Sequence, residues 1–306
     1  MKISKVSLIG FGAVGAVYGD KISKVVDSFE VVVNGGRKDK YDTQGIMLNG
    51  ERKFYNFTSS NKAQTPQLLI IATKNNHLVQ VIKDIENLVD ENTIILSLLN
   101  GIVSERILKE HFPMATILYS FAVGLSSENV NQEINYSSAG KIVYGSGDNC
   151  KTEAVVAVEE LFKKANIDYL VPKNIQHDLW NKFMLNIVYN TISSILKAGY
   201  GVFKSEDIQV LSLKVAKEVQ AIAKKEGIII LAEDIAHNQN LIVSLDPFGK
   251  TSMCQDMVAS KTTENKFFSK TVMDLAKKHG LSVPYCESIY CLAQGSEYSN
   301  EMMKNR

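Results

Sequence analysis

The first half of the chain alternates short apolar runs with segments of helical period. VSLIG (6–10), FEVVV (29–33), LLIIAT (68–73), TIILSLL (93–99), TILYSFAVG (116–124) and KIVYG (141–145) are apolar at nearly every position. That pattern belongs to strands covered on both faces, as in a parallel sheet. Helical spacing occupies 13–27, 76–89 and 104–111 between them. Such alternation predicts an α/β fold, a Rossmann-type doubly wound sheet.

After NIDYLVP (166–172) the pattern changes to long stretches of 3.6-residue period with hardly any β-run. Helices are predicted around 174–198, 205–226, 231–244, 251–279 and 284–297, with Gly227 and Gly280 placed as C-terminal caps. Pro172 disfavours helix at the residue before it. The boundary therefore falls near 168–173, dividing the chain into an α/β domain, 1–170, and an all-α C-terminal domain, 171–306.

Size agrees with this division, since 306 residues exceed the usual single core. A formal net charge of +1 lacks the basic footprint of a nucleic-acid binder. Cys150, Cys254, Cys286 and Cys291 show neither CxxC spacing nor nearby His, so neither a metal site nor a disulfide framework is expected. MKISKVSLIGFGAVG runs straight into a strand and a glycine turn, unlike a signal peptide, and no apolar run approaches membrane-spanning length. The expectation is a cytoplasmic protein with reduced thiols and no membrane partner.

In VSLIGFGAVGAVYG, Gly10, Gly12 and Gly15 have GxGxxG spacing between an apolar strand and a small-residue helix start. The first glycine permits the tight turn, the second a close approach of backbone to pyrophosphate, and the third close packing of helix on strand. Candidate cofactor contacts are thus Gly10, Phe11, Gly12, Ala13, Val14 and Gly15. After the second strand the chain reads EVVVNGGRKDK, with Asn34 at the expected strand end, Arg37 and Lys38 beyond, and no carboxylate before Asp39. A guanidinium suits a 2′-phosphate, which favours NADPH, although a solvated basic loop would read the same way. Lys74 after LLIIAT and Asn100 after SLLN fall at strand ends, where open α/β sheets bind ligands.

In LWNKFMLNIVYN, Lys182, Asn186 and Asn190 recur every four residues among large apolar side chains that include the single tryptophan. Burying unpartnered amides costs about 1–3 kcal/mol each and an unpaired ammonium more. The stripe is either a solvated face or the wall of a polar cleft between domains, and the bulky flanks favour the wall. GKTSMCQDMVASKTTENKFF places Ser252, Gln255, Asp256 and Glu264 on one expected helix, whose spacing returns Ser252 and Glu264 to related faces. A capped helix start with an exposed Glu264 is the alternative.

Together GFGAVG, ATK, LLNG, AGKIVYG, LWNKFMLNIVYN, TSMCQDM and TTE resemble, in order and over nearly the whole length, the ketopantoate reductase family of NADPH-dependent 2-dehydropantoate 2-reductases. The resemblance implies that Lys182 is the catalytic lysine and Glu264 the active-site carboxylate. It makes Asn186, Asn190 and Ser252 substrate-binding, and assigns Lys74 and Asn100 to the cofactor site or active site. It also implies a keto-acid substrate held between the two domains. Lys182 would then stabilise and protonate the ketone oxygen as hydride arrives. The chain departs from the family pattern at His77, Tyr200, Ser269 and Cys286, which bears on the substrate. A reductase of another small keto acid and a catalytically inactive dinucleotide-binding regulator are the competing readings. The apolar helices of the second half are compatible with a homodimer or with a domain core alone.

Overall fold

In the computed structural model, which describes residues 2–130 and 133–304, the apolar runs of the first half become strands whose successive side chains sort to opposite faces. Leu68 and Ile70 join the core on one side with Tyr18, Ile22, Val158 and Phe162. Leu69 and Ile71 join the core on the other with Leu78, Val81, Ile85 and Leu108. All four residues of this strand are fully buried, and each contributes about 1.5–3 kcal/mol over an exposed position.

By internal contacts the chain divides into two compact units, Met1–Gln176 and His177–Arg306. The first contains β1 (Lys5–Ile9), α1 (Ala13–Ser23), β2 (Ser28–Val32), α2 (Gly36–Gln44), β3 (Ile46–Leu48), β4 (Glu51–Lys53) and β5 (Asn56–Thr58). It continues with β6 (Leu68–Ile71), α3 (Leu78–Ile85), β7 (Ile94–Ser97), α4 (Ser104–His111), β8 (Thr116–Val130), β9 (Glu133–Gly145), α5 (Glu153–Lys164) and β10 (Tyr169–Leu170). Strand order is β4-β3-β9-β8-β7-β6-β1-β2-β5, with β10 beside β9. From β5 to β8 every pairing is parallel, and the order is that of a doubly wound dinucleotide-binding sheet, with the crossover reversing at β1.

Two expected strands prove longer, because 116–124 and 141–145 are the paired parts of one antiparallel hairpin, β8 and β9. Gly124 and Gly140, both at positive φ, lie between the pairs Val123↔Lys141 and Leu125↔Ala139. A Cβ on Gly140 would come within 2.2 Å of the Val123 carbonyl, so the crossing requires glycine there. Helices α2 and α5 were not among the expected elements. For α5 the signal is present in the sequence: Thr152 caps it by accepting from the Val155 N–H at 3.3 Å, and Val155, Val158, Leu161 and Phe162 are buried at helical spacing.

Among its described residues the second unit has helices, joined by loops, and no strand. α6 (Ile175–Leu185) begins just before it and leads into a π-helical turn, Asn186–Asn190. Then follow α7 (Thr191–Leu196), α8 (Glu206–Lys225), α9 (Ala232–Ser244), α10 (Ser252–Val258), α11 (Ser269–His279) and α12 (Pro284–Lys304). Gly280 ends α11 in the left-handed region, as its position predicts.

The single helix expected over 251–279 is instead two helices with a break after Val258. The helix closes on Ser260, at φ +51°, with the Lys261 N–H donating to the Asp256 carbonyl at 2.8 Å, and Thr263 beyond it is held outside helical pairing. Its N–H and hydroxyl donate to the Glu297 carboxylate, and its hydroxyl accepts from the Asn265 N–H at 3.3 Å. No helix of the described residues is long and apolar enough to cross a membrane.

Candidate active site

The glycine turn follows β1 and opens α1. Gly10 has φ +93°, and a Cβ there would lie 2.5 Å from the backbone of Ala72 and Thr73 at the end of β6. Gly15 packs so closely that a Cβ would sit 2.0 Å from the Gly10 carbonyl oxygen. Gly12 differs, because nothing lies within 4 Å of where its Cβ would be. Gly12 is also the N-cap of α1 and supplies no side-chain cap, and no acidic residue occupies the first turn. The turn therefore leaves open space in front of uncapped helix amides, which suits a pyrophosphate. Ala13 and Val14 begin the helix, while the Phe11 ring is turned into an aromatic cluster, 4.8 Å from Tyr55 and 6.0 Å from Phe57 between centroids. Phe11 can offer a cofactor only its main chain.

β2 ends at Val32, two residues before Asn34, so Asn34 lies in the following loop. Its amide oxygen accepts from the Ser60 N–H at 3.0 Å and its amide nitrogen donates to the Ser60 hydroxyl at 3.1 Å. Arg37 stands exposed in the first turn of α2, while Lys38 is tied to Asp42.

Lys74 and Asn100 stand equally far beyond the sheet. β6 and β7 end on the parallel pair Ile71↔Ser97, and each of the two residues lies three positions further on. The two loops are joined by Asn75, a 2% exposed residue whose amide donates to the Asn100 carbonyl at 2.7 Å. Thr73, next to the glycine turn, has a buried hydroxyl with no partner among the described residues. Sequence reasoning missed both Thr73 and Asn75. An amide directly after the strand-end lysine was a visible signal, but its partner lies in another loop.

Farther along, α4 carries a buried carboxyl. Glu105 is 1% exposed and accepts from the Ser104 hydroxyl at 2.9 Å, which itself accepts from the Ser97 hydroxyl at 2.9 Å. Burial pushes its pKa up to about 7.

In the second unit the stripe runs from α6 into the π turn. Phe183, Met184, Ile187 and Val188 of the flanks are buried, so the flanks belong to the core. Lys182 as a residue is half-buried, and burial alone lowers its ammonium below the ordinary lysine value. Asn186 is 1% exposed; its oxygen accepts from the Asn190 amide at 3.1 Å, and its own amide nitrogen is buried with no partner among the described residues. The stripe is therefore not a solvated face. Helical spacing makes Lys182 and Asn186 neighbours. Together they present N–H donors, which suits a ligand rich in acceptor oxygens. The π turn, invisible in the sequence pattern, occurs where Asn186 and Asn190 sit, as such turns do at functional sites.

Ser252 opens α10 and is exposed, while Thr251 caps that helix by accepting from the Cys254 N–H at 3.1 Å. Glu264 is not on the same helix. It lies beyond the break as the N-cap of a short 3-10 turn, Asn265–Phe267, so the shared helical face expected for Ser252 and Glu264 is corrected. α10 does pack against the π turn and α7, which brings Ser252's helix to the stripe.

The chain matches a family model described as ketopantoate reductase PanE/ApbA over residues 6–149 and its C-terminal counterpart over 174–297. It is 25% identical over 304 residues to a 2-dehydropantoate 2-reductase of Streptococcus pyogenes, covering 95% of this chain and 97% of that protein. Among solved structures it resembles a D-mandelate dehydrogenase with NADH and anilino(oxo)acetate, with TM-score 0.87, 20% identity and coverage of 97% and 99%. It also resembles a dimeric ketopantoate reductase from Staphylococcus aureus, with TM-score 0.82, 19% identity and coverage of 97% and 99%. With both halves matched in order, on a doubly wound sheet followed by helices, the chain belongs to the ketopantoate reductase family of oxidoreductases.

Proposed function

We propose that the protein is a cytoplasmic enzyme of pantothenate biosynthesis that reduces 2-dehydropantoate to pantoate with NADPH. Residues 1–170 act as the nucleotide domain and 171–306 as the substrate and catalytic domain. The observation that carries this reading is the buried Lys182 ammonium beside the unpartnered Asn186 amide N–H. Such a donor pair fits the ketone and carboxylate oxygens of a keto acid.

Gly10, Phe11, Gly12, Ala13, Val14 and Gly15 hold the pyrophosphate through main-chain groups, and Arg37 the 2′-phosphate. Lys74 and Asn100 meet the nicotinamide end. The nicotinamide supplies the hydride when bound. Lys182 stabilises the negative charge gathering on the ketone oxygen and then protonates it. Its lowered pKa brings it nearer the operating pH, where general acids work best. Asn186, Asn190 and Ser252 grip the substrate's hydroxyl and carboxylate. Glu264 holds Lys182 protonated or binds a substrate hydroxyl.

The deciding experiment is NADPH oxidation with and without ketopantoate. Rapid oxidation only with ketopantoate is expected; none under either condition overturns ketopantoate as the substrate, and none with any 2-keto acid identifies an inactive dinucleotide-binding regulator. A second reading, reduction of another 2-keto acid, is favoured by the D-mandelate dehydrogenase likeness and by the departures at His77, Tyr200, Ser269 and Cys286. A panel of 2-keto acids with NADPH and NADH separates the two. Following the dimeric S. aureus relative, we also propose a homodimer, which sedimentation equilibrium tests.

A further inference from the structure

The loop after β6 and the loop after β7 are separate segments, and nothing in parallel pairing holds them together once the strands end. Each carries one residue of the proposed nicotinamide end, Lys74 and Asn100. We infer that Asn75 is a positioning residue that locks the Asn100 turn in register with Lys74, through its amide bond to the Asn100 carbonyl. This inference rests on the functional reading of Lys74 and Asn100 given above.

Three observations carry it. Asn75 is 2% exposed, so its amide is out of water and its donor is committed to a partner within the protein. The bond is short, 2.7 Å, and joins residues 25 apart in sequence. Gly101 follows at φ +104°, a conformation open mainly to glycine, so the Asn100 carbonyl sits at the entrance of a sharp turn. Holding that carbonyl sets the peptide plane, and with it the direction in which the Asn100 side chain leaves the backbone. Asn75 thereby acts through Asn100 and takes no part in the chemistry itself.

Three measurements test this, two of them independent of activity. In the ligand-free protein, hydrogen exchange of Asn75→Ala should accelerate by about tenfold or more at residues 101–103 while 12–16 stay unchanged. Calorimetry should show NADPH binding weakened about tenfold and 2′,5′-ADP, which lacks the nicotinamide half, unchanged. In a double-mutant cycle, Asn75→Ala added to Asn100→Ala should cost almost nothing further in kcat/KM, because the two act as a unit.

Unchanged exchange at 101–103 overturns the inference, as does equal weakening of both nucleotides or a full additional loss in the double variant. If exchange accelerates as expected while wild type binds no NADPH, it is the functional reading that fails and the locking role that stands. Asn75→Asp, equal in size but without the donor, gives the same readings should the alanine variant not fold.

Discussion

Single residues of this chain carry groups that their surroundings hold away from ordinary behaviour. Lys182 is one, with an ammonium lowered by burial beside the unpartnered Asn186 amide. Lys182→Ala should lower kcat by about 10²–10⁴-fold, the usual worth of a general acid, while a fluorescence titration finds NADPH affinity retained. Arg37 is exposed, and on its proposed role at a 2′-phosphate Arg37→Ala should weaken NADPH about tenfold and leave NADH nearly untouched. Equal effects on both nucleotides remove the basis for NADPH. The helical spacing of Lys182 and Asn186 and the place of Arg37 after β2 were legible in sequence, because strand ends and helical spacing are local properties. The burial of Lys182 was not, since it depends on packing.

Elements depend on what caps and interrupts them. α12 starts at Pro284, and its first free N–H groups, those of Tyr285 and Cys286, donate to the two oxygens of Glu218 on α8, at 3.0 and 2.8 Å. Glu218→Ala leaves both without their acceptor and should cost about 1–3 kcal/mol, read as a lower urea midpoint with unchanged slope. Helix 104–111 was legible to the residue because Ser104 to His111 carries its own apolar period. The 251–279 stretch has helical period too, yet it breaks at the left-handed Ser260, and Thr263 beyond is held by Glu297. The partner stands 34 residues away, beyond the reach of any periodicity argument.

At the scale of the whole molecule, two groups set the same pH trend. Glu105 rises from 4.5 to about 7, because burial opposes its charge. The folded state therefore binds the extra proton, and stability falls as pH rises from about 4.5, levelling above about 7. The difference amounts to about 3 kcal/mol. His177 feels burial, which would lower its pKa, but the Asp178 and Asp234 carboxylates outweigh that and raise it. Its contribution is full below its unfolded value and lost as pH rises through the folded one. Thermal melts should thus show stability declining from pH 5 to about 8, and Glu105→Gln should flatten the decline by raising stability at the alkaline end. A pH-independent melt in wild type contradicts both assignments. By itself the sequence determined the two-part architecture, the glycine turn and the polar stripe, because strand and helix periods and turn chemistry are written in neighbouring residues. Only the tertiary structure decided the Thr263–Glu297 bonds, the burial of Glu105 and the Asn75–Asn100 bond, because burial and pairing between separate segments depend on packing that neighbouring residues do not encode, and the π turn leaves no mark on the helical period.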